Sequence, residues 1–351
     1  MFYISHYLQN PIMHFPPSRL IIAPMAGGPS TPELVSAAAQ IGAFGFLAAG
    51  YLSSQSLSDK MQAVHGAYGV NLFAPQTPAE DLSPLDDFAR NLQRYADEYG
   101  ITLNPRPQVD MKDDWDDKIA LLHHAARAGF APDVVSVTFG LMSKDDVRAL
   151  QQAGMYVWST VARVSDALSA AQTGVNALIV QSSDAGGHRA TFRADDDGDM
   201  RPLSDLIKDI ARELPSMPLI AAGGISTPDA VRDTLNLPNV KAVQCGTAFL
   251  SADEAGTGDF YRRRLLQGGE TTVTRIFSGR PARSIATALT ERITAPALYP
   301  YINAMMTPLK QAATAAGNPE PVSAWAGTGL AHIRTGGTAD IAAYLLSKVK
   351  A

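Results

Sequence analysis

A chain of 351 residues, 46% hydrophobic and 18% charged, has the composition of a folded globular protein, long enough for one large α/β barrel with an extension or for two domains. Its formal charge of −5 offers no basic face for nucleic acid or an anionic membrane surface. A single cysteine, Cys245, excludes an intramolecular disulfide framework, and no apolar run is long enough to span a bilayer. Residues Met1–Phe15 lack the basic-then-apolar order of a secretory signal, so cytoplasm is the expected compartment.

Short apolar runs recur along the chain at Leu20–Ala23, Phe44–Ala48, Tyr68–Leu72, Val134–Thr138, Tyr156–Thr160, Ala177–Gln181, Leu219–Ala221 and Ala242–Cys245. They are continuous rather than alternating, as expected of parallel strands buried on both faces. Helix signals separate them. Thr31-Pro32-Glu33 combines an N-cap, a first-turn proline and an acid, and Gly42 closes that helix. Ser143 opens another that ends at Gly154, and Thr227-Pro228-Asp229 repeats the first start. Eight such units predict a (β/α)8 barrel, with a doubly wound sheet as the alternative, since periodicity does not show closure.

Two stretches break the rhythm. Residues 72–134 are long and acidic and predict two helices with an irregular connection. After Phe249 the strand pattern stops. Residues 252–308 read as a helical cap beside the barrel mouth, leaving residues 1–251 and 309–351 to the barrel and a terminal amphipathic helix at Ile341–Val349. The run Asp195–Asp199 lacks the spacing and terminal Glu of an EF-hand loop and reads as a solvated acidic turn, so no metal site is expected.

The stretch LIVQSSDAGGHR, residues 178–189, carries the most chemical information. An apolar run ends in polar Gln181, and a loop follows with Gly186, Gly187 and His188. Barrel enzymes place catalytic side chains at such strand-to-loop junctions. Paired glycines let a flat cofactor approach the backbone, and a histidine at its edge titrates near neutrality. A surface histidine on a glycine turn is the plain alternative. Leu219–Ala221 runs into Gly223-Gly224, and Ala242–Cys245 runs into Gly246-Thr247. Counted as strands seven and eight, these precede the usual phosphate site of the barrel. Neither matches a dinucleotide or P-loop fingerprint, so a mononucleotide cofactor or a phosphorylated substrate is expected. Amides at the same strand ends, Asn71, Gln181 and Gln244, are costly if unpaired; a plain core or a heterocycle edge would satisfy them.

Taken together the motifs resemble the nitronate monooxygenases, formerly 2-nitropropane dioxygenases, which bind FMN in a TIM barrel. The matching pieces, in order, are IIAPMAGG (21–28), GVNLF (69–73), VSVTFG (135–140), VQSSDAGGHRA (180–190), PLIAAGGI (218–225), AVQCGTAFL (242–250) and FSGRPAR (277–283). NAMMTPLKQAA (303–313) and WAG (325–327) extend the match. The resemblance implies that Met25 backs the flavin and that Asn71 and Gln181 bond its ring or ribityl chain. It implies that Gly186 and Gly187 permit close approach, that Gly223, Gly224, Gly246 and Thr247 hold the phosphate, and that Gln244 lies beneath. His188 matches the family's catalytic histidine, a general base for the α-proton of a neutral nitroalkane. Tyr299, Tyr301 and Lys310 fall where the family lines its substrate entrance, and a lysine there suits an anionic nitronate such as propionate 3-nitronate. The implied reaction is O2-dependent oxidation of nitronates or nitroalkanes to carbonyl compounds and nitrite.

Departures occur at Ser284–Thr287, where a glycine and an asparagine-arginine pair are usual, and at Thr328, where glutamine is usual. A related FMN barrel using NAD(P)H, either a quinone reductase or an enoyl-thioester reductase, is the rival enzyme reading. A flavin-binding barrel without turnover is the rival from outside enzymology.

Overall fold

All eight apolar runs form strands: β1 (Leu20–Ile22), β2 (Phe44–Ala48), β3 (Tyr68–Phe73), β4 (Val134–Thr138), β5 (Tyr156–Val161), β6 (Ala177–Gln181) and, beyond a two-residue strand β7 (Gly187–His188), β8 (Leu219–Ala222) and β9 (Val240–Cys245). The computed structural model describes residues 18–350; Met1–Phe15, where a secretory signal would stand, lie outside them. The barrel is closed in the order β1-β2-β3-β4-β5-β6-β8-β9, with every neighbouring pair parallel. Closure decides between the two architectures left open by the periodicity: this is a TIM barrel.

Helices α1 (Pro32–Gln40) and α2 (Ser54–Gln62) follow β1 and β2, while α3 (Pro84–Asp97) and α4 (Trp115–Ala128) both follow β3. The next four, α5 (Lys144–Gln152), α6 (Val164–Ala171), α7 (Leu203–Glu213) and α8 (Pro228–Leu235), follow β4, β5, β7 and β8. The capping residues act as their types predict. Thr31, Ser143 and Thr227 each accept a hydrogen bond from the backbone N–H three residues on. Thr31→Ala is therefore expected to cost about 1 kcal/mol, seen as a lower denaturant midpoint with an unchanged slope.

Apolar side chains on alternate strand positions fill the barrel interior, among them Ile21, Phe44, Phe46, Trp158 and Ile179. The opposite positions pack against the helices in one continuous core. Burial on both faces is why the strand sequences are unbroken apolar runs.

After β9 come α9 (Asp259–Gln267), β10 (Thr271–Thr274), β11 (Ala282–Ile285), α10 (Ala288–Arg292), α11 (Tyr301–Ala316) and α12 (Thr338–Leu346). Here the structure departs from the sequence-based expectation. The segment expected to be helical contains two strands, which form an antiparallel sheet in the order β10-β11-β7. A strand of two residues carries no periodicity, and β11 finds its partner about a hundred positions upstream. The boundary placed at residue 308 falls inside α11. A separate apolar cluster joins Leu85, Phe88 and Leu92 of α3 to Phe277 and to Ile302, Met306 and Leu309 of α11. The layer over the barrel mouth is thus assembled from two distant segments, α3 and the region after β9.

Candidate active site

The C-terminal ends of the barrel strands surround one chamber. Met25, Asn71, Gln181, Gly186, Gly187, His188, Gly223, Gly224, Gln244, Gly246 and Thr247 all line it. Every residue singled out for cofactor contact is therefore on one surface, although the segments that supply them span more than two hundred positions.

His188 occupies β7, opposite Ala282 of β11. Gly187 holds φ +75°, a conformation L side chains rarely adopt, which turns the chain into this short strand. Gly186 is glycine for space: a Cβ there would lie 2.6 Å from the Gly327 nitrogen. Gln181 fixes the loop from below. Its Nε2 donates to the His188 carbonyl at 3.1 Å, and its Oε1 accepts from the Ala190 N–H at 2.8 Å. The imidazole Nε2 is 2.9 Å from Ser278 Oγ. Trp325, Phe139 and Tyr299 surround the ring at centroid distances of 5.1, 5.8 and 5.9 Å. Burial among them, reinforced by the positive charges of Arg280 and Lys310, pushes the histidine down to about 3. The near-neutral titration expected from residue type is corrected: the ring is neutral across the physiological range, because its surroundings disfavour the cation.

Asn71 is buried and its amide donates to Ser136 Oγ and Thr138 Oγ1 at 2.9 and 3.0 Å. Gln244, also buried, differs: its Oε1 has no hydrogen-bond partner among the described residues. A buried acceptor left open costs about 1–3 kcal/mol, so it marks a place where a ligand donor belongs. Beside it, Cys245 is buried and its thiol is pushed up to about 12 by burial, which makes it a packing residue and a poor nucleophile. Gly223 and Gly224 take φ +103° and +71° and turn the chain sharply after β8. Gly246, in ordinary backbone geometry, has room for a side chain: a Cβ there would make only ordinary contacts, with Ala23 at 3.4 Å and Met25 at 3.9 Å. Thr247 Oγ1 accepts the Gly327 N–H at 3.0 Å, tying the β9 loop to the WAG segment.

The expected substrate-entrance residues divide. Tyr299 is buried behind the chamber lining, against His188 and Phe139, with its hydroxyl 3.2 Å from that of Tyr51. Tyr301 is placed elsewhere, packed in the second apolar cluster. Helical spacing decides this: two positions along a helix start turn a side chain to another face. Lys310 is no solvated surface lysine. Its Nζ donates to Asn303 Oδ1 at 3.0 Å and to the Phe277 carbonyl at 3.5 Å, and burial pushes it down to about 8. At neutral pH most of it keeps its charge.

Several residues that shape the chamber have no local signal in the sequence. Tyr51 and Phe139 hold φ +67° and +74°, strained values for aromatic residues, and both border the chamber. Tyr261 lines it too and donates to the Trp325 carbonyl at 2.5 Å. Ser278 and Arg280 lie in the FSGRPAR motif, whose pattern alone points to no role for either. The acidic turn at 195–199 is tied by arginines: Asp195 pairs with Arg193, Asp196 with Arg163, Asp197 with Arg275 and Asp199 with Arg201.

The family model of nitronate monooxygenase matches residues 12–346. The chain belongs to the nitronate monooxygenase family. A probable nitronate monooxygenase of Bacillus subtilis is 31% identical over 324 residues, covering 89% of this chain and 90% of that protein. The nitronate monooxygenase of Paraburkholderia phytofirmans is 31% identical over 345 residues, covering 94% and 92%. Among solved structures, a nitroalkane oxidase from Streptomyces ansochromogenes superposes with a TM-score of 0.88 at 32% identity over 95% of this chain and 96% of that one. FabK from Thermotoga maritima superposes at 0.68 with 20% identity, a likeness of fold. Membership of the nitronate monooxygenase family makes the chain an oxidoreductase and places its chemistry in nitronate or nitroalkane oxidation. Among the described residues no helix is long and apolar enough to cross a membrane.

Proposed function

We propose that this enzyme is FMN-dependent and oxidises alkyl nitronates, and more slowly neutral nitroalkanes, with O2 to carbonyl compounds and nitrite. The observation that carries the reading is the pairing of two ends in one chamber. At one end the unpartnered Gln244 Oε1 lies beside the glycine loops after β8 and β9. At the other, neutral His188 stands close to Arg280 and Lys310. The first end suits a flavin: an open acceptor for a ring or ribityl donor, and glycine turns after β8 and β9 of the kind that present backbone N–H groups to a phosphate. Gly223, Gly224, Gly246 and Thr247 would hold the phosphate, with Met25, Asn71, Gln181, Gly186 and Gly187 along the rest of the cofactor. When bound, FMN supplies the redox chemistry between the nitronate and O2.

What the protein itself contributes follows from the other end. The rings of Phe139, Tyr299 and Trp325 exclude water around the reacting carbon and leave an apolar seat for an alkyl group. The charges of Arg280 and Lys310 favour an anion beside His188. A nitronate arrives as that anion and needs only orientation. A neutral nitroalkane must first lose its α-proton to His188, which stays unprotonated and able to accept it.

Purified protein should be yellow and should release FMN, not FAD, on heating, resolved by chromatography. An oxygen electrode should record steady O2 uptake with alkyl nitronates. Recovery of FAD as the main flavin would overturn the cofactor assignment. Anaerobic bleaching by NADH, with no response to nitronate, would replace the reading with that of a reductase.

A further inference from the structure

Arg280 is fully buried, yet among the described residues no carboxylate pairs with it. Its Nη1 donates to the Thr191 carbonyl at 2.6 Å, and its Nη2 donates to Gln76 Oε1 at 2.7 Å. Both acceptors are neutral. Its Nε has no partner among the described residues. The guanidinium lies 4.2 Å over the Phe139 ring and 5.1 Å from the Tyr299 ring. Those are two of the three rings that surround His188. Ser278 Oγ joins the two residues directly: it is 2.9 Å from His188 Nε2 and 3.3 Å from the Arg280 backbone nitrogen. A buried cation is costly unless paired, and the usual remedy is a carboxylate. Here an amide stands at the one side-chain position where a carboxylate of nearly the same shape would fit.

We propose that Arg280 is a positioning residue that keeps His188 in its neutral form and the aromatic end of the chamber positive, and that Gln76 preserves that charge by being an amide and not a carboxylate. This deepens the proposed function, on whose catalytic role for His188 it rests. The charged groups facing His188 are both cations, and the one titratable phenol beside it, Tyr299, is held neutral. Arg280 lies on the approach to β11, Lys310 on α11 and the Tyr299 phenol on the approach to α11. The nearest carboxylates act on other groups: Asp113 on Tyr51 and Tyr299, and Asp195 on Arg280. Burial among the rings disfavours imidazolium most, and the two cations, opposed by no carboxylate acting on His188 among the described residues, add to it. The same field favours an anionic substrate over its neutral acid. The FSGRPAR motif thereby gains a role. Ser278 holds the imidazole, and Arg280 adds to the burial that keeps it neutral.

The test is the titration of His188, followed by NMR in isotopically labelled protein as purified, with the His188→Asn variant assigning its signal among the seven histidines. In the native protein the ring should stay neutral down to at least about pH 5. Gln76→Glu supplies the missing carboxylate with little change of shape. It should raise the midpoint by about one pH unit or more, a tenfold or greater gain in proton affinity. Arg280→Gln should do the same, and Arg280→Lys, which keeps the charge, should restore native behaviour. Each neutralising change should also raise KM for an anionic nitronate more than it lowers kcat. Should Arg280→Gln fail to fold, Gln76→Glu decides alone. A folded Gln76→Glu protein whose His188 titrates as in the native chain overturns the proposal. So does a native His188 with an ordinary midpoint near 6.5. The titration needs no turnover, so its outcome is independent of whether nitronate oxidation itself is observed.

Discussion

His188→Asn is expected to lower turnover of neutral nitroalkanes by about two to four orders of magnitude, the usual weight of acid–base catalysis. Preformed nitronates should suffer much less, because their α-proton is already gone. Flavin content should stay near normal, since Gln181 anchors the loop through backbone groups and the asparagine leaves those bonds intact. The pH dependence carries the sharper information. Residue type alone predicts a rise through the histidine range. The enclosed ring instead sits at about 3, below its ordinary 6.5, so the neutral, proton-accepting form dominates at every pH above that value. Activity with a neutral nitroalkane should therefore show no histidine-dependent inflection between about pH 5 and 8. A base so far below the working pH accepts a proton reluctantly, so the same compound supplied as its nitronate should turn over faster than the neutral acid. Stopped-flow and steady-state rates on matched nitroalkane and nitronate pairs check both statements. Equal losses on the two substrates would make His188 an orienting group and not a base.

The second large effect is expected at the β9 loop. Gly246→Glu should strip the flavin and with it essentially all oxidase activity, while the barrel stays folded. The new side chain has room: ordinary backbone angles and no contact of its Cβ closer than 3.4 Å. Its carboxylate would then stand where the phosphate is proposed to lie, and like charges in a semi-enclosed site repel strongly. Gly223→Glu looks equivalent in sequence but is not. There φ is +103°, and a Cβ would lie 2.5 Å from Ser182 Oγ and 2.9 Å from the Ala185 nitrogen, so that variant is expected to lose stability as well as flavin. Flavin-to-protein absorbance ratios, with circular-dichroism melts on both variants, separate the two outcomes. A Gly246→Glu protein that keeps a full complement of flavin would show that this loop does not hold the phosphate.

Much of the fold is legible through local rules. Each barrel strand is announced by a continuous apolar run, because both of its faces are buried, and several helix starts by a capping residue three positions before the backbone donor it satisfies. Counting the strands locates the late glycine loops, and the QSSDAGGHR segment names the histidine. These are short-range patterns, and the sequence by itself determined them. What it did not determine depends on partners far apart in the chain. β7 is a strand only because β11, about a hundred residues on, pairs with it. Tyr299 and Tyr301 are two positions apart, and only packing sets one against His188 and Phe139 and the other into the cluster of α3 and α11. His188 is kept neutral first by burial among rings from separate elements and further by Arg280 and Lys310, while Arg280 itself meets only the amide of Gln76, from more than two hundred residues upstream. Electrostatics act through space and not along the chain, so the sequence singled out His188 as the proposed base while only the tertiary structure decided its charge state.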